Sequence, residues 1–181
     1  MIRLTPRASS SRRRFDGSRL AEERGARYVQ LGRLDLAEQV LQSALRQGAL
    51  AEGQSLLART GDGEPVGIAY GYPLSPSTGW WDRLITPVDD ELRREDGRRT
   101  FGLMELAVRV PWRRLGVARR MHEAVLADTT AERVLLNARP DVKAAQAAYR
   151  SWGYRKVGEA HPWEGAVLHD VMVLDLRGSG G

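Results

Sequence analysis

The stretch from Met104 to Arg120 reads MELAVRVPWRRLGVARR, and two hydrophobic periods meet within it. Apolar residues occupy every second position as far as Val110, and this period of two predicts a strand that ends at Pro111. From Leu115 onward, apolar residues recur at spacings of three and four, which predicts a helix that reaches about Asp128. The sequence therefore predicts a strand, a short turn and an amphipathic helix in direct succession.

The turn between this strand and this helix has the composition of a site for a large anion. The first amides of a helix have no carbonyl partner, and together with the helix dipole they attract phosphate. Gly116 and Ala118 are small enough for a pyrophosphate to approach the backbone closely. Arginine side chains form charge-assisted hydrogen bonds with phosphate oxygens, and they surround the turn at Arg113, Arg114, Arg119 and Arg120. An ordinary turn with solvated arginines is the alternative interpretation.

A second group of elements follows further along the chain. Val134 to Ala138 is an apolar run that predicts a strand, and Pro140-Asp141 resembles a helix start with Asp141 as the cap. The composition over 142–152 is helical, and Gly153 closes this helix. Because Tyr154 to Gly158 resumes an extended pattern, the predicted order is strand, helix, strand, helix, strand.

Two motifs in this order resemble the core motifs of the GNAT superfamily of acyl-CoA-dependent N-acetyltransferases. They are Arg113-x-x-Gly116-x-Ala118 and, after it, Ala145-x-x-x-Tyr149-x-x-x-Gly153-Tyr154. The resemblance implies an α/β fold of mixed α+β type, with a mostly antiparallel sheet of about six to seven strands and roughly four flanking helices. It also implies that the sheet is splayed between the fourth and fifth strands, here 104–110 and 134–138, with the thioester of the donor in the opening.

Most of the remaining chain is similar to the same family. Only residues 5–32 and 73–100 fit it poorly. The segments that fit are a first strand at Met1 to Leu4, an early helix at Arg33 to Gln47, a hairpin of Leu56 to Thr60 and Val66 to Tyr72 around Gly61-Asp62-Gly63, and a last strand at Val171 to Leu176.

Length and composition predict a single domain over residues 1–181, and the resemblance implies that this domain is GNAT-like. Its least regular parts are a basic N-terminal segment at 1–32 and an acidic, aromatic loop at 73–100. The chain has no cysteine, which excludes a disulfide framework, a thiolate nucleophile and a cysteine metal site. No apolar run approaches the ~20 residues of a membrane span, and the N-terminus lacks a secretory signal. We therefore expect a cytoplasmic protein that does not engage a membrane.

The resemblance implies acetyl-CoA as the acyl donor and assigns most of the site. Backbone amides of residues 108–110 would hold the acetyl carbonyl and the pantetheine arm, and the loop of residues 113–119 would hold the pyrophosphate. Asn137 would hydrogen-bond a ligand or simply cap a strand end. The predicted cofactor-binding residues are Val108, Arg109, Val110, Arg113, Arg114, Leu115, Gly116, Val117, Ala118, Arg119 and Asn137.

Two residues are candidates for proton transfer. Tyr149 would protonate the departing sulfur, because a phenol with a reference pKa of about 10 keeps its proton at pH 7. A packing role near the end of an amphipathic helix is its alternative. Glu105 is the candidate base, since it is the only carboxylate on the motif strand. A water chain as the base, with Glu105 paired to Arg109 or to another surface arginine, is the alternative there.

The chain departs from the family pattern at two positions. Val142 stands seven residues before the tyrosine, where family members often carry an asparagine that contacts the cofactor arm. Val110 stands where a proline is usual, and Pro111 follows it, so the amide of residue 110 is retained and that of 111 is lost. These departures predict weaker or slightly shifted cofactor binding.

The loop at 73–100 is the candidate acceptor site. Trp80 and Trp81 are adjacent aromatic residues, and Asp82 with five further acidic residues forms the most acidic part of a basic protein. Aromatic walls with carboxylates suit a cationic amine. A lid or a dimer contact through the two tryptophans is the alternative. His169 joins this candidate site if the last strand borders the acceptor cleft.

The predicted function is transfer of an acetyl group from acetyl-CoA to a primary amine of a small molecule or peptide, by direct attack in a ternary complex. The alternative is a non-catalytic domain that binds acyl-CoA or a protein partner. No metal is expected, because the three histidines show no metal-ligand pattern. Nucleic acid is not expected despite the net charge of +5, because the arginines at 12–14 are not interleaved with aromatic residues. A homodimer is left open.

Overall fold

The computed structural model describes residues 1–8, Leu34, Leu36, Gln39 and 53–176. The three isolated residues fall in the helix predicted over 33–47, and each of them is helical. The rest of that predicted helix, and the arginine-rich part of the N-terminal segment, lie outside the described residues.

Seven strands and three α-helices are assigned within residues 1–8 and 53–176. The strands are β1 (Arg3–Ala8), β2 (Gln54–Arg59), β3 (Pro65–Pro73), β4 (Thr100–Val108), β5 (Arg133–Ala138), β6 (Arg155–Ala160) and β7 (His169–Asp175). The helices are α1 (Asp90–Arg93), α2 (Val117–Leu126) and α3 (Lys143–Ser151), and short 3-10 turns occupy Trp81–Arg83 and Val110–Trp112.

The strands follow the order β1-β2-β3-β4-β5-β7-β6 across the sheet. β4 and β5 run parallel, whereas the β1–β2, β2–β3, β5–β7 and β6–β7 pairs are antiparallel. This topology confirms the predicted fold class, a mixed and mostly antiparallel sheet with flanking helices. The longest described helix, α2, has 10 residues, and no helix in the described part of the chain is long and apolar enough to cross a membrane.

The chain divides into two compact units. The first comprises Met1–Tyr72 and Leu103–Thr129. In it, the β2–β3 hairpin turns at the predicted Gly61-Asp62-Gly63, where the Gly63 amide donates to Thr60 O at 3.1 Å. α2 buries Val117, Met121 and Val125. A Cβ on Gly67 would lie 2.7 Å from Sδ of Met121 and 3.1 Å from the backbone oxygen of Ala107, so glycine leaves room for the helix at this point of β3.

The second unit comprises Pro73–Gly102 and Thr130–Gly181. Its core includes buried residues of β5 and β7, among them Val134, Leu135 and Met172. The loop predicted at 73–100 is fastened to this sheet, because Ile85 N donates to Glu159 O at 2.9 Å on the edge strand β6. Pairing of the loop with β6 covers an edge that would otherwise present unpaired backbone groups.

Several predicted boundaries shift. The strand predicted at 104–110 begins earlier because Thr100–Gly102 pair with Arg133–Leu135, and it ends at Val108 because the chain then enters a 3-10 turn. The predicted cap role of Asp141 is wrong. The N-cap of α3 is Val142, which makes no side-chain cap hydrogen bond, while the Asp141 carboxylate accepts from Arg139 at 3.0 Å instead.

Candidate cofactor site and active site

Hydrogen bonds fix the chain where it leaves β4. The Arg109 amide donates to Val66 O at 2.8 Å, which continues the pairing with β3. The Arg113 guanidinium then turns back, and its Nε donates to Val108 O at 2.9 Å. Since alternate amides of a strand point to opposite edges, the Val108 amide points away from β3. The backbone amide of Arg109 is thus bonded to Val66 O. The guanidinium of Arg109 forms an ion pair with Glu64 and not with Glu105.

Two residues in left-handed backbone conformations turn the chain into α2. Arg114 has φ 61° and Gly116 has φ 74°. In this conformation the Cβ of an L-residue lies too close to the backbone, which costs free energy. Glycine has no Cβ and avoids this cost, which explains Gly116 at the N-cap. A Cβ on Gly116 would meet nothing within 4 Å among the described atoms. The backbone therefore faces open space beside the first turn of α2.

The first turn of α2 offers unpaired donors to that space. The Arg120 amide donates to Gly116 O at 3.1 Å, so the amides of Val117, Ala118 and Arg119 precede the helical hydrogen-bond ladder. No acidic residue lies in this first turn. Exposed guanidinium groups of Arg113, Arg114, Arg119 and Arg120 add positive charge, although Arg119 also contacts Glu123 at 2.9 Å. This donor set fits a pyrophosphate.

Glu105 lies on β4 in the same unit. It is partly buried, and desolvation raises the pKa of its carboxyl to about 7, while the backbone N–H of Leu106 acts in the opposite direction. A carboxyl with such a pKa is poised to gain or lose a proton near neutral pH, which is what general base catalysis requires.

Tyr149 lies at the C-terminal end of α3, in the second unit. Gly153 has φ 94° and ends the helix in a Schellman motif, in which Tyr154 N donates to Tyr149 O at 3.0 Å and Gly153 N donates to Arg150 O at 3.1 Å. The Tyr149 ring contacts Trp152 and Tyr154 edge-on, with centroids 5.6 and 5.5 Å away. The helix end and two rings thus hold the half-buried Tyr149 side chain.

The second unit also contains the residues predicted to bind the acceptor. Trp81 is buried, and its Nε1 donates to Glu95 Oε1 at 3.0 Å. Trp80 is half-buried, and its Nε1 has no hydrogen-bond partner among the described residues. Asp82 is exposed and lies 3.5 Å from Arg93. His169 is buried, with Nδ1 2.8 Å from Val167 O and its ring 5.7 Å from that of Trp163.

The acidic character predicted for the loop at 73–100 is largely neutralised within the loop. Glu91 contacts Arg94 and Arg99 at 3.0 and 2.9 Å. Asp96 accepts from backbone amides of the loop, and Asp89 caps α1 by accepting from the Leu92 amide. Arginines are interspersed with these carboxylates in the sequence, so the net negative charge of the loop is smaller than its number of carboxylates suggests. Asp82 is the exposed carboxylate beside the tryptophan pair.

A profile of the acetyltransferase (GNAT) family matches residues 30–154. The chain belongs to the GNAT family. This confirms the resemblance inferred from the two motifs. No curated protein sequence matches the chain significantly.

Solved structures of GNAT proteins share the fold. NAA60 of Arabidopsis thaliana in complex with acetyl-CoA has a TM-score of 0.60 and 15% identity, over 97% of this chain and 100% of that one. Ard1 of Thermoplasma volcanium has a TM-score of 0.59 and 15% identity, over 97% and 99%. A GNAT acetyltransferase of Streptococcus pneumoniae has a TM-score of 0.57 and 16% identity, over 96% and 100%. At these identities the likeness shows the fold alone.

The predicted GNAT site residues are distributed between the two units. The first unit brings together Glu105 and the whole predicted cofactor segment of residues 108–119. The second contains Tyr149, Asn137 and the predicted acceptor residues. Sequence reasoning missed Gln146 and Asp170, a buried polar pair that no motif or period signals.

Proposed function

We propose that this GNAT protein is an N-acetyltransferase that transfers an acetyl group from acetyl-CoA to a primary amine of a small molecule or peptide, by direct attack in a ternary complex. The observation that carries the proposal is the first turn of α2, where unpaired amides and exposed arginines border the open space at Gly116. Family membership supplies the expectation that this turn holds acetyl-CoA.

The proposed cofactor contacts come from the turn after β4. The amides of Val117–Arg119, with the side chains of Arg114, Arg119 and Arg120, would bind the pyrophosphate. The Val108 and Val110 amides would bind the acyl end, whereas the Arg109 amide is already bonded to Val66 O and contributes to the position of the strand. Arg113 Nε is bonded to Val108 O, so its role is to hold the loop as well as to add charge.

The proposed chemistry needs one group that takes a proton and one that gives a proton. Acetyl-CoA would supply the activated acetyl thioester. Glu105, whose pKa is raised to about 7, would take the proton of the attacking ammonium group. Tyr149 would hold, at its Oη, the proton that the departing thiolate needs. Trp80, Asp82 and His169 would bind the acceptor. Because Trp81 is buried and bonded to Glu95, we leave it out of the proposed acceptor contacts.

Thermal unfolding with and without acetyl-CoA tests the cofactor site. A ligand at a hundred times its Kd stabilises a protein by about 2.7 kcal/mol, so we expect a clear rise in Tm for the unsubstituted protein. Gly116→Glu fills the open space with a carboxylate and should abolish the rise. Gly63→Glu is the matched control, because Gly63 also has a positive φ, 89°, and open space around its Cβ position.

Turnover with a panel of primary amines tests the transfer step. We expect acetylation of at least one amine, and a slower rate in Tyr149→Phe with acetyl-CoA binding nearly unchanged. Binding of acetyl-CoA without turnover on any amine would support the non-catalytic alternative, which Val142 in place of the family asparagine favours. Absence of a Tm rise at millimolar acetyl-CoA would overturn the proposal.

A further inference from the structure

Gln146 is the one residue of α3 that is fully buried, with 4% of its surface exposed. A buried amide is costly where an apolar side chain would pack, because each unbonded polar group costs about 1–3 kcal/mol. The residue must therefore gain from specific contacts or serve a purpose other than stability.

The contacts of Gln146 lead to β7. Its Nε2 donates to Asp170 Oδ2 at 3.0 Å and also contacts Arg139 O at 3.3 Å. Asp170 is itself buried, with 5% of its side chain exposed, and Lys156 Nζ lies 2.6 Å from its Oδ1. The carboxylates of Asp170 and Glu159 raise the pKa of Lys156, which keeps that amine charged. The buried charge of Asp170 is thus compensated, and a charge-assisted hydrogen bond reaches α3.

The backbone hydrogen bonds at the start of α3 are local, from Val142 N to Arg139 O at 3.3 Å and from Lys143 N to Asp141 O at 3.1 Å. Val142 at the N-cap provides no side-chain cap, and Asp141 is bonded to Arg139. The Gln146 side chain therefore ties the first turns of α3 to β7 and to the chain that precedes the helix. Volume-matched apolar packing would permit rotation of the helix about its axis, whereas two directed hydrogen bonds restrict it.

Tyr149 lies three residues after Gln146, on a neighbouring position of the same helix surface. The Schellman motif and the contacts with Trp152 and Tyr154 hold it from the C-terminal side. We propose that Gln146 and Asp170 are a positioning pair that sets the rotation of α3 and thereby the direction of the Tyr149 phenol. The inference rests on the proposed role of Tyr149 as proton donor.

Gln146→Met tests the pair kinetically. Methionine has a similar volume and helix propensity, so the packing of α3 should be retained. Asp170 Oδ2 loses a donor, which costs about 1–3 kcal/mol, while Lys156 still compensates the charge of the carboxylate. We expect kcat to fall about tenfold to a hundredfold with KM for acetyl-CoA unchanged, since small misplacements have such effects. Ala147→Met, on the exposed side of the same helix, is the control and should leave kcat unchanged.

A double-mutant cycle with Tyr149→Phe decides whether Gln146 acts through the tyrosine. If it does, Gln146→Met causes no further loss of kcat once the hydroxyl is absent. Losses that multiply in the double variant would overturn the proposal, as would an unchanged kcat in Gln146→Met. Asp170→Asn, which weakens the same hydrogen bond isosterically, should give a smaller loss and replaces Gln146→Met if that variant does not fold.

A spectroscopic measurement separates this inference from the proposed function. In protein labelled with 3-fluorotyrosine, the Tyr149 signal is assigned as the one that Tyr149→Phe removes. We expect Gln146→Met to shift that 19F signal and to leave those of Tyr70 and Tyr72 in place. An unmoved Tyr149 signal would overturn the positioning pair. A shifted signal with full activity in Tyr149→Phe would overturn the role of Tyr149 while the pair stands.

Discussion

Arg133 and Glu95 form an ion pair that is almost completely buried, with Nη2 2.9 Å from Oε1 and 5% and 1% of their side chains exposed. Thr100 and Trp81 donate to the same carboxylate oxygen at 2.9 and 3.0 Å. The Arg133 guanidinium also lies 5.4 Å from the centre of the Trp81 ring. This network connects the loop at 73–100 to the first residues of β4 and β5, so the loop is part of the core of the second unit.

Arg133→Met should lower the free energy of unfolding by about 3–5 kcal/mol, because it leaves the Glu95 carboxylate buried without its cation. Arg133→Met with Glu95→Gln should lose less than the single variant, since no charge is then left buried. Urea unfolding measures both. Arg155→Met is the control, because the Arg155–Asp175 pair is more than half exposed and should contribute less than about 1 kcal/mol. A double variant less stable than Arg133→Met would contradict the explanation.

The ionisations of His122 and Glu105, both in the first unit, should change the free energy of unfolding in opposite directions as pH falls. Desolvation lowers the pKa of His122 to about 4, so the unfolded chain takes up a proton first as pH falls from 6.5 to about 4, and stability falls. Desolvation raises the pKa of Glu105 to about 7, so the native protein takes up its proton first as pH falls from 7 towards 4.5, and stability rises.

Removal of either residue should expose the effect of the other. When pH falls from 7.5 to 5, the free energy of unfolding of His122→Leu should rise relative to that of the unsubstituted protein, and that of Glu105→Gln should fall. Each change should be about 2 kcal/mol after allowance for solvent screening. Urea unfolding at the two pH values measures the change. Equal pH dependence in all three proteins would show that neither group titrates as its burial implies.

The pH profile of kcat/KM should show the ionisation of Glu105 directly. If Glu105 is the base, the rate should rise as pH increases through about 7, where the carboxyl loses its proton. Glu105→Gln should be slower and lack this rising limb. Glu64→Gln is the control, because Glu64 is an exposed carboxylate that pairs with Arg109. An unchanged profile in Glu105→Gln would transfer the role of base to water.

Gly158→Ala should destabilise the attachment of the loop to β6. A Cβ there would lie 2.9 Å from Leu84 Cδ2 and 3.4 Å from Thr86 Cβ, so a side chain or the loop must move. We expect a loss of about 1–3 kcal/mol in thermal or urea unfolding. Addition of Leu84→Ala should recover part of the loss, which a strictly additive double variant would contradict. Gly79→Ala, with its nearest atom at 3.8 Å, should change stability little.

Local features of the site were predictable from sequence because their causes are local. The alternation before Pro111 predicts β4, glycine at 116 predicts the turn into α2, and Gly153 predicts the end of α3. Each depends on residues within one or two turns of the chain. The predicted Asp141 cap was wrong because Arg139, two residues away, competes for the same carboxylate.

The sequence by itself determined the order of elements, the family motifs and the residue types at the proposed site, since periodicity, glycine and proline act over short distances. Only the tertiary structure decided that Trp81 is buried, that β4 begins at Thr100 and that Glu91 pairs with Arg94 and Arg99. It also decided the raised pKa of Glu105 and the Gln146–Asp170 contact. These properties depend on desolvation and on partners far away in the chain, which local patterns do not encode.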